Sequence, residues 1–220
     1  MSIPTHLVAP ILEGLWVTLQ LTLGGAVVAC VLAWVAGLGK LSATRWVRWP
    51  ANVYVEVFRG TSALVQLFWF FYGLPLFGVR LSPMTAGILV LGLNIGAYGA
   101  ELVRGSIQSV SKGQYEASTA LNFSPLQRLW LIIVPQAIIS ILPPAGNLLI
   151  ELLKSTALVS LITLGDLTFK GMILRAETLQ TAQVFGMLLV IYFVIAQCLV
   201  FLVRRIEVRL KRGWHLEGTS

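Results

Sequence analysis

The stretch GLWVTLQLTLGGAVVACVLAWVAGLG (14–39) has 26 residues without a charged side chain, and it decides the fold class. Four more uncharged stretches of 20 to 26 residues follow it. A helix needs about 20 apolar residues to cross the roughly 30 Å hydrocarbon core of a bilayer. The sequence therefore predicts an all-α integral membrane protein with five transmembrane helices, at about 12–39, 58–79, 82–104, 130–153 and 180–203.

The composition agrees with this fold class. Of the 220 residues, 57% are hydrophobic and 11% are charged, whereas charged residues make up about 25% of an ordinary soluble chain. Five spans and their connections occupy nearly the whole sequence. We therefore expect residues 1–220 to form a single transmembrane domain.

The placement of the 16 Lys and Arg residues predicts the topology. Twelve fall in the first connection, the third connection and the C-terminal segment, and four fall on the other side. Basic residues accumulate on the cytoplasmic side of a membrane, so the N-terminus is predicted outside and the C-terminus in the cytoplasm. Membrane topology thus explains the net charge of +7 without a nucleic-acid partner. The basic tail is expected to contact anionic lipid.

The third connection, at about 105–129, is long and polar, and it contains SKGQYEASTALNFSPLQR (111–128). Residues 114–121 suit a short helix, and Ser124 followed by Pro125 is typical of a helix N-cap and first position. The sequence predicts two short helices joined by a turn, at the face where a cytoplasmic partner would dock.

Small residues recur at four-residue spacing in the first and third spans, which predicts close helix packing. They are Gly25, Ala29, Ala33 and Gly37, then Gly92, Gly96 and Ala100. In the first connection, Trp46, Trp49 and Tyr54 are expected to lie at the lipid headgroups. After the fourth span, residues 152–180 predict one or two amphipathic half-helices on the outer side.

Polar side chains inside the spans are candidates for a substrate path, because they are unfavourable in lipid and must face protein or water. They are Gln66, Asn94, Tyr98, Asn147, Glu151 and Lys154. The alternative for the amides is interhelical hydrogen bonding. Glu151 and Lys154 form either an intrahelical ion pair or a site for a zwitterion.

Prolines and charges at the helix ends predict local features. Pro135 is expected to start or kink the fourth span, and Pro143 with Pro144 is expected to break it, with simple kinks as the alternative. Glu101 with Arg104, and Glu56 with Arg59, have the i, i+3 spacing of local ion pairs.

The motifs resemble those of one transporter family. Glu116-Ala117-Ser118, then Asn122, then residues 132–135 are similar to the EAA signature of the membrane subunits of ABC importers. Segments 58–75, 94–114, 134–147 and 152–162 resemble the permeases for polar amino acids such as histidine, glutamine, glutamate, arginine and opines.

This resemblance implies a type I ABC importer permease fold in a bacterial inner membrane. The EAA loop would dock on a dimer of separate ATPase subunits, which would hold ATP and Mg²⁺, and this chain would bind no cofactor. A second permease subunit and a periplasmic binding protein would complete the transporter. The implied coupling residues are Glu116, Ala117, Ser118, Leu121, Asn122, Phe123 and Ser124.

The chain departs from the family pattern at three positions. Asn122 replaces a glycine, which is tolerable because Asn accepts a left-handed backbone. Ser118 replaces an alanine. Leu148 stands where many relatives carry an acidic residue, and Glu151 lies near the same helix face. Within the family, the segments 120–124 and 151–162 are similar to permeases for ectoine and hydroxyectoine.

Two other function classes compete with this interpretation. An intramembrane enzyme needs a nucleophile with a base, or clustered acids for a metal, and the only two histidines, His6 and His215, lie near the chain ends. An autonomous secondary transporter typically has two matching halves, which this sequence lacks. The sequence predicts no catalytic residue and no metal site.

Overall fold

The structure, a computed structural model, describes residues 8–214, and that part of the chain is helical without a strand. His6 and His215 lie outside the described residues. The helices are α1 (Val8–Leu41), α2 (Arg45–Gly60), α3 (Ala63–Phe68), α4 (Pro83–Ser109), α5 (Lys112–Ala120), α6 (Pro125–Arg128), α7 (Val134–Ser155), α8 (Leu167–Thr178) and α9 (Thr181–Trp214). A π-helical turn (Trp69–Gly73) and a 3₁₀ turn (Leu74–Phe77) extend α3, a π-helical turn (Leu129–Ile133) joins α6 to α7, and a 3₁₀ segment (Thr156–Ile162) extends α7.

Four helical segments are long and apolar enough to cross a membrane: Ala9–Leu41, Pro83–Ser109, Pro125–Ile162 and Thr181–Leu210. A fifth crossing is present if α2 and the helix that follows it count as one span, because these two are bent by 105° at their junction. The helical run Ala63–Phe77 covers most of the predicted second span at 58–79, and the bend lies near the start of that span. The two helical pieces meet at the sequence Gly60-Thr61-Ser62.

The centre of the molecule is a parallel contact between α1 and α4. A Cβ atom placed on Gly92 would lie 3.2 Å from the carbonyl oxygen of Gly25, and one placed on Gly96 would lie 3.2 Å from that of Ala29. Since the contacts advance in the same direction along both helices, α1 and α4 run parallel. The prediction that small residues pack these two spans closely is confirmed.

The helix α7 runs in the opposite direction along the same pair. Leu152, near its end, contacts Gly25 of α1, and Ala137, near its start, belongs to a buried cluster with Ala33 and Val103. At the far side, Val203 of α9 contacts Gly146. The helix α7 is therefore antiparallel to both α1 and α4, while the side that faces the cytoplasm remains a prediction from the basic residues.

The predicted break at Pro143 and Pro144 is wrong, since both prolines lie inside the continuous helix α7. Each proline removes one backbone hydrogen bond, but α4 and α9 pack along the helix on either side of the pair. The irregularity is instead at Pro135. The π-helical turn Leu129–Ile133 ends just before it, as expected where the proline ring clashes with the carbonyl four residues earlier.

Beyond α7, the predicted pair of half-helices is confirmed as the 3₁₀ segment and α8. Asp166 caps α8, because its carboxylate accepts the backbone N–H groups of Thr168 and Phe169 at 3.1 and 3.0 Å. The last span differs from its prediction, because α9 stays helical beyond residue 203 to Trp214. Tyr54 is half-buried and donates to the Leu93 carbonyl at 2.7 Å, so it is not a headgroup anchor.

Candidate functional site

The connection between α4 and α7 folds into a helical hairpin made of α5 and α6. At the end of α5, Asn122 has φ 56°. The backbone N–H of Phe123 donates to the Ser118 carbonyl at 3.0 Å, and that of Asn122 donates to the Thr119 carbonyl at 3.0 Å. This pair of bonds is a Schellman motif, whose left-handed residue suits Gly or Asn. The predicted turn and the left-handed Asn122 are confirmed.

The start of α6 is also defined by side chains. Ser124 Oγ accepts the Gln127 backbone N–H at 3.3 Å, and Gln127 Oε1 accepts the Ser124 backbone N–H at 2.9 Å. Such a reciprocal capping box, with Pro125 at the first helical position, sets where the helix begins. The two short helices are thus held in a defined mutual geometry.

Two side chains that the sequence did not single out hold this hairpin together and attach it to α4. Tyr115 donates its hydroxyl to the Ile107 carbonyl of α4 at 3.2 Å. Arg128 donates to the Thr119 hydroxyl at 2.9 Å and lies 5.8 Å from the centre of the Tyr115 ring. The sequence feature that could have identified Tyr115 is an aromatic residue at the fourth position of α5, facing the apolar stretch 129–133.

The opposite face of the hairpin is exposed. Leu121 is 72% exposed and Leu126 is 68% exposed, with Glu116 and Ala117 exposed beside them. Phe123 is half-buried, while Ser118 faces inward and is 1% exposed. A mixed apolar and acidic surface of this kind is suited to bind another protein.

The predicted pair Glu101–Arg104 is present at the same end of the bundle. Arg104 Nε lies 2.8 Å from one carboxylate oxygen of Glu101, and Lys40 of α1 binds the other carboxylate oxygen. This cluster joins α1 to α4 close to the hairpin. The predicted pair Glu56–Arg59 is absent from the ion pairs of the described residues.

Two of the predicted path residues support the break between α2 and α3. Gln66 Nε2 donates to the carbonyls of Phe58 and Thr61 at 2.9 and 3.2 Å. Asn94 Nδ2 donates to the Phe58 carbonyl at 2.9 Å and to Gln66 Oε1 at 3.2 Å. These bonds satisfy backbone carbonyls that the helix break leaves without a helical partner. Gln66 and Asn94 are buried, which favours the hydrogen-bonding alternative for both.

The remaining path residues divide between two surfaces. Tyr98 is half-buried on α4, under the guanidinium of Arg59, which lies 5.2 Å from the ring centre. Asn147, Glu151 and Lys154 are exposed on one face of α7. The ion pairs of the described residues do not include Glu151 with Lys154, so their charges are available to a ligand or to another subunit.

The structure brings together no metal-binding group. Within residues 8–214, three or more His, Cys, Asp or Glu side chains do not converge at any point.

Comparison with known proteins gives consistent results. Residues 29–212 match the model of the family described as binding-protein-dependent transport system inner membrane component. The probable amino-acid ABC transporter permease y4tF of Sinorhizobium fredii is 50% identical over 209 residues, which are 92% of this chain and 88% of that protein. The glutamine transport system permease GlnP of Escherichia coli is 32% identical over 91% of this chain and 93% of its own length.

A solved structure agrees in fold. The crystal structure of an amino acid ABC transporter with histidines superposes with a TM-score of 0.86 and 34% identity, over 95% of this chain and all of that one. The match covers both the membrane helices and the α5–α6 hairpin. The chain therefore belongs to the family of binding-protein-dependent transport system inner membrane components, as a multi-pass translocation subunit whose ATPase is a separate protein.

Proposed function

We propose that this chain is the membrane-spanning subunit of an importer for a polar amino acid or an amino-acid-derived zwitterion, and that ATPase movements reach it through the α5–α6 hairpin. The observation that carries the proposal is the construction of this hairpin. Tyr115 ties the inner face to α4 and Arg128 ties α6 to α5, while the outer face leaves Leu121 and Leu126 exposed.

The hairpin has the properties of a mechanical coupling element. Its two capped ends keep α5 and α6 in one geometry, and it continues directly into α7 through the π-helical turn. A force on the outer face is therefore transmitted to two membrane helices. Glu116 forms no ion pair within residues 9–210, so its carboxylate is free to meet a basic group of the ATPase, with Leu121 and Phe123 supplying apolar contact.

The second functional surface is the exposed polar face of α7, which carries Asn147, Glu151 and Lys154. Most of the remaining exterior at this depth is apolar, as on α1, where Trp16, Leu23 and Val27 are exposed. Because polar and charged groups are unfavourable against lipid, this face of α7 is expected to line the substrate path. A second permease subunit, identical or paralogous, closes the path on that side.

The other partners follow from the same assembly. A periplasmic binding protein delivers the solute, and ATP with Mg²⁺ binds to an ATPase dimer below the hairpin. Relatives named for amino acids, including the L-cystine permease TcyB of Bacillus subtilis at 38% identity, support an amino-acid substrate. A site with Glu151 and Lys154 suits a solute that carries both charges, which includes cyclic zwitterions such as ectoine and hydroxyectoine.

One experiment tests the coupling and the substrate together. The permease is co-expressed with its neighbouring permease and ATPase genes, placed in nanodiscs, and assayed for ATPase activity with binding proteins loaded with single amino acids or ectoine. We expect one loaded binding protein to stimulate hydrolysis and so to identify the solute. Glu116→Lys should abolish this stimulation and weaken ATPase association by about ten-fold, since a charge-assisted contact is lost.

The matched control is Glu177→Lys, which reverses an exposed acidic residue on α8, remote from the hairpin. We expect it to behave as the wild type. Normal stimulation in the Glu116→Lys protein would contradict the coupling assignment, and co-purification without any ATPase would contradict the importer assignment.

A further inference from the structure

The break between α2 and α3 lies within the apolar layer of the bundle. Its two contacts on α4, Asn94 and Tyr98, both belong to the uncharged stretch 81–100. Asn94 precedes the ion pair at Glu101 by seven residues, which is roughly 10 Å along a helix. The break is therefore not at the level of the charged cluster that ends this stretch.

The break is a fixed structure. Gln66 and Asn94 together donate four hydrogen bonds here. Three go to the Phe58 and Thr61 carbonyls, and in the fourth Asn94 donates to Gln66 Oε1. Gln66 also contacts the Thr61 hydroxyl at 2.7 Å. Both amides are buried. A side chain that projects from the break is thus held by a rigid backbone, as a binding site requires.

Arg59 projects from this break and is exposed. Its guanidinium lies over Tyr98, and none of the three ion pairs among the described side chains includes it. Lys40 and Arg104, the cations of the charged cluster beyond Tyr98, already share Glu101. An arginine at this depth is unfavourable against lipid, so it is expected to face an aqueous path and an anion.

We propose that Arg59 binds the carboxylate of the transported solute and that Tyr98 positions the guanidinium for this contact. The inference rests on the proposed function and names the chemical group that this site recognises. A guanidinium offers two parallel N–H donors that match the two oxygens of a carboxylate. The contact with the Tyr98 ring is a cation–π contact, and the guanidinium N–H groups form no ion pair among the described residues, so they can bind the solute.

The test measures binding to the assembled transporter without its binding protein, because a binding protein would recognise the carboxylate itself. The permease–ATPase complex in nanodiscs is dialysed against a ¹⁴C-labelled mixture of the twenty common amino acids. Retained label is then displaced by the unlabelled amino acids or by their amides, which lack the carboxylate. Assembly of each variant is checked by size-exclusion chromatography.

We expect the wild type to retain label, and the amino acids to displace it at about ten-fold lower concentration than the amides. Arg59→Gln should retain about ten-fold less label and should no longer distinguish amino acids from amides, whereas Arg59→Lys should keep part of both properties. Arg45→Gln removes an exposed arginine at the other end of α2 and should match the wild type.

The outcomes separate the two proposals. If Arg59→Gln retains label and distinguishes the amides as the wild type does, the carboxylate assignment is wrong. If the wild type imports amino acids with ATP but binds acids and amides alike, or binds neither, the assignment is also wrong while the proposed function stands. If no loaded binding protein supports uptake or ATPase stimulation, the proposed function fails and the inference fails with it.

Discussion

At the scale of single residues, local chemistry was predictable and pairing across the fold was not. The left-handed backbone at Asn122 follows from the residue type and its place after a short helix, and the structure has it at φ 56°. The pair Glu56–Arg59 had suitable spacing on one helix, yet Arg59 stacks on Tyr98 of α4. Sequence spacing describes neighbours on one helix, whereas the partner of Arg59 depends on how α2 crosses α4.

Asp166 is the residue whose titration should affect stability. Its side chain is fully buried, and burial raises the pKa of its carboxyl group from 3.8 to about 6. The folded state therefore binds this proton more tightly than the unfolded state does. As the pH falls from 7 through 6 towards 4, the free energy of unfolding should rise, by roughly 1 to 3 kcal/mol from this group.

Asp166→Asn keeps one of the two oxygens that accept from Thr168 and Phe169, and Asn is an equally good N-cap. We expect this variant to lose the part of the pH dependence that belongs to Asp166, as measured by melting temperature in detergent at pH 7 and pH 5. Glu177→Gln, at an exposed position on the same helix, should keep the wild-type pH dependence. The same rise in melting temperature in the Asp166→Asn protein would contradict the role of this carboxyl group.

At the scale of helices, periodic patterns were reliable and irregular segments were not. The ladders of small residues predicted that α1 and α4 each pack closely against a neighbour, and the structure shows that the two are each other's neighbour. The prolines did not predict where α7 is irregular. A helix packed on both sides stays continuous through Pro143 and Pro144, whereas the turn before Pro135 widens, and that difference depends on tertiary contacts.

The helix contact can be tested with two alanine substitutions in α4. A Cβ atom on Gly99 would lie 2.7 Å from the Cβ atom of Ala33, while one on Gly105 would have no atom within 4 Å. We expect Gly99→Ala to lower stability by about 1 to 3 kcal/mol through overpacking. Gly105→Ala should raise it by up to about 1 kcal/mol through helix propensity. Melting temperatures in the same detergent measure both, and equal shifts would show that α1 and α4 are not in close contact there.

At the scale of the whole molecule, the uncharged stretches predicted the four long apolar helices of the described residues, but not the bend at the start of the second predicted span. Hydropathy describes the length of an apolar segment and is insensitive to a bend of 105° inside it. The same limit applies to the path. The polar residues of α7 could be recognised in the sequence. That Gln66 and Asn94 are buried apart from them could not, because it depends on the packing of α2, α3 and α4.

The path along α7 can be tested with one polar-to-leucine substitution and a matched control. Asn147 and Gln20 are both exposed amides within membrane helices, but Gln20 lies on α1 among lipid-facing side chains such as Trp16 and Leu23. Asn147→Leu should lower ATP-dependent uptake by about ten-fold, because a hydrogen-bonding group of the path is lost. Gln20→Leu should leave uptake unchanged in the same proteoliposomes. Similar uptake in both variants would remove Asn147 from the path.

The parallel contact of α1 with α4 also has a consequence for biosynthesis. When α1 leaves the ribosome, its glycine-lined face has no partner, because α4 is complete only about 70 residues later. At roughly 5 to 20 residues per second, this interval lasts about 4 to 14 s. During that time the insertion machinery, lipid or α2 must shield this face. The core of the protein thus forms late in translation, and a nascent chain that stops before residue 109 lacks the helix that completes it.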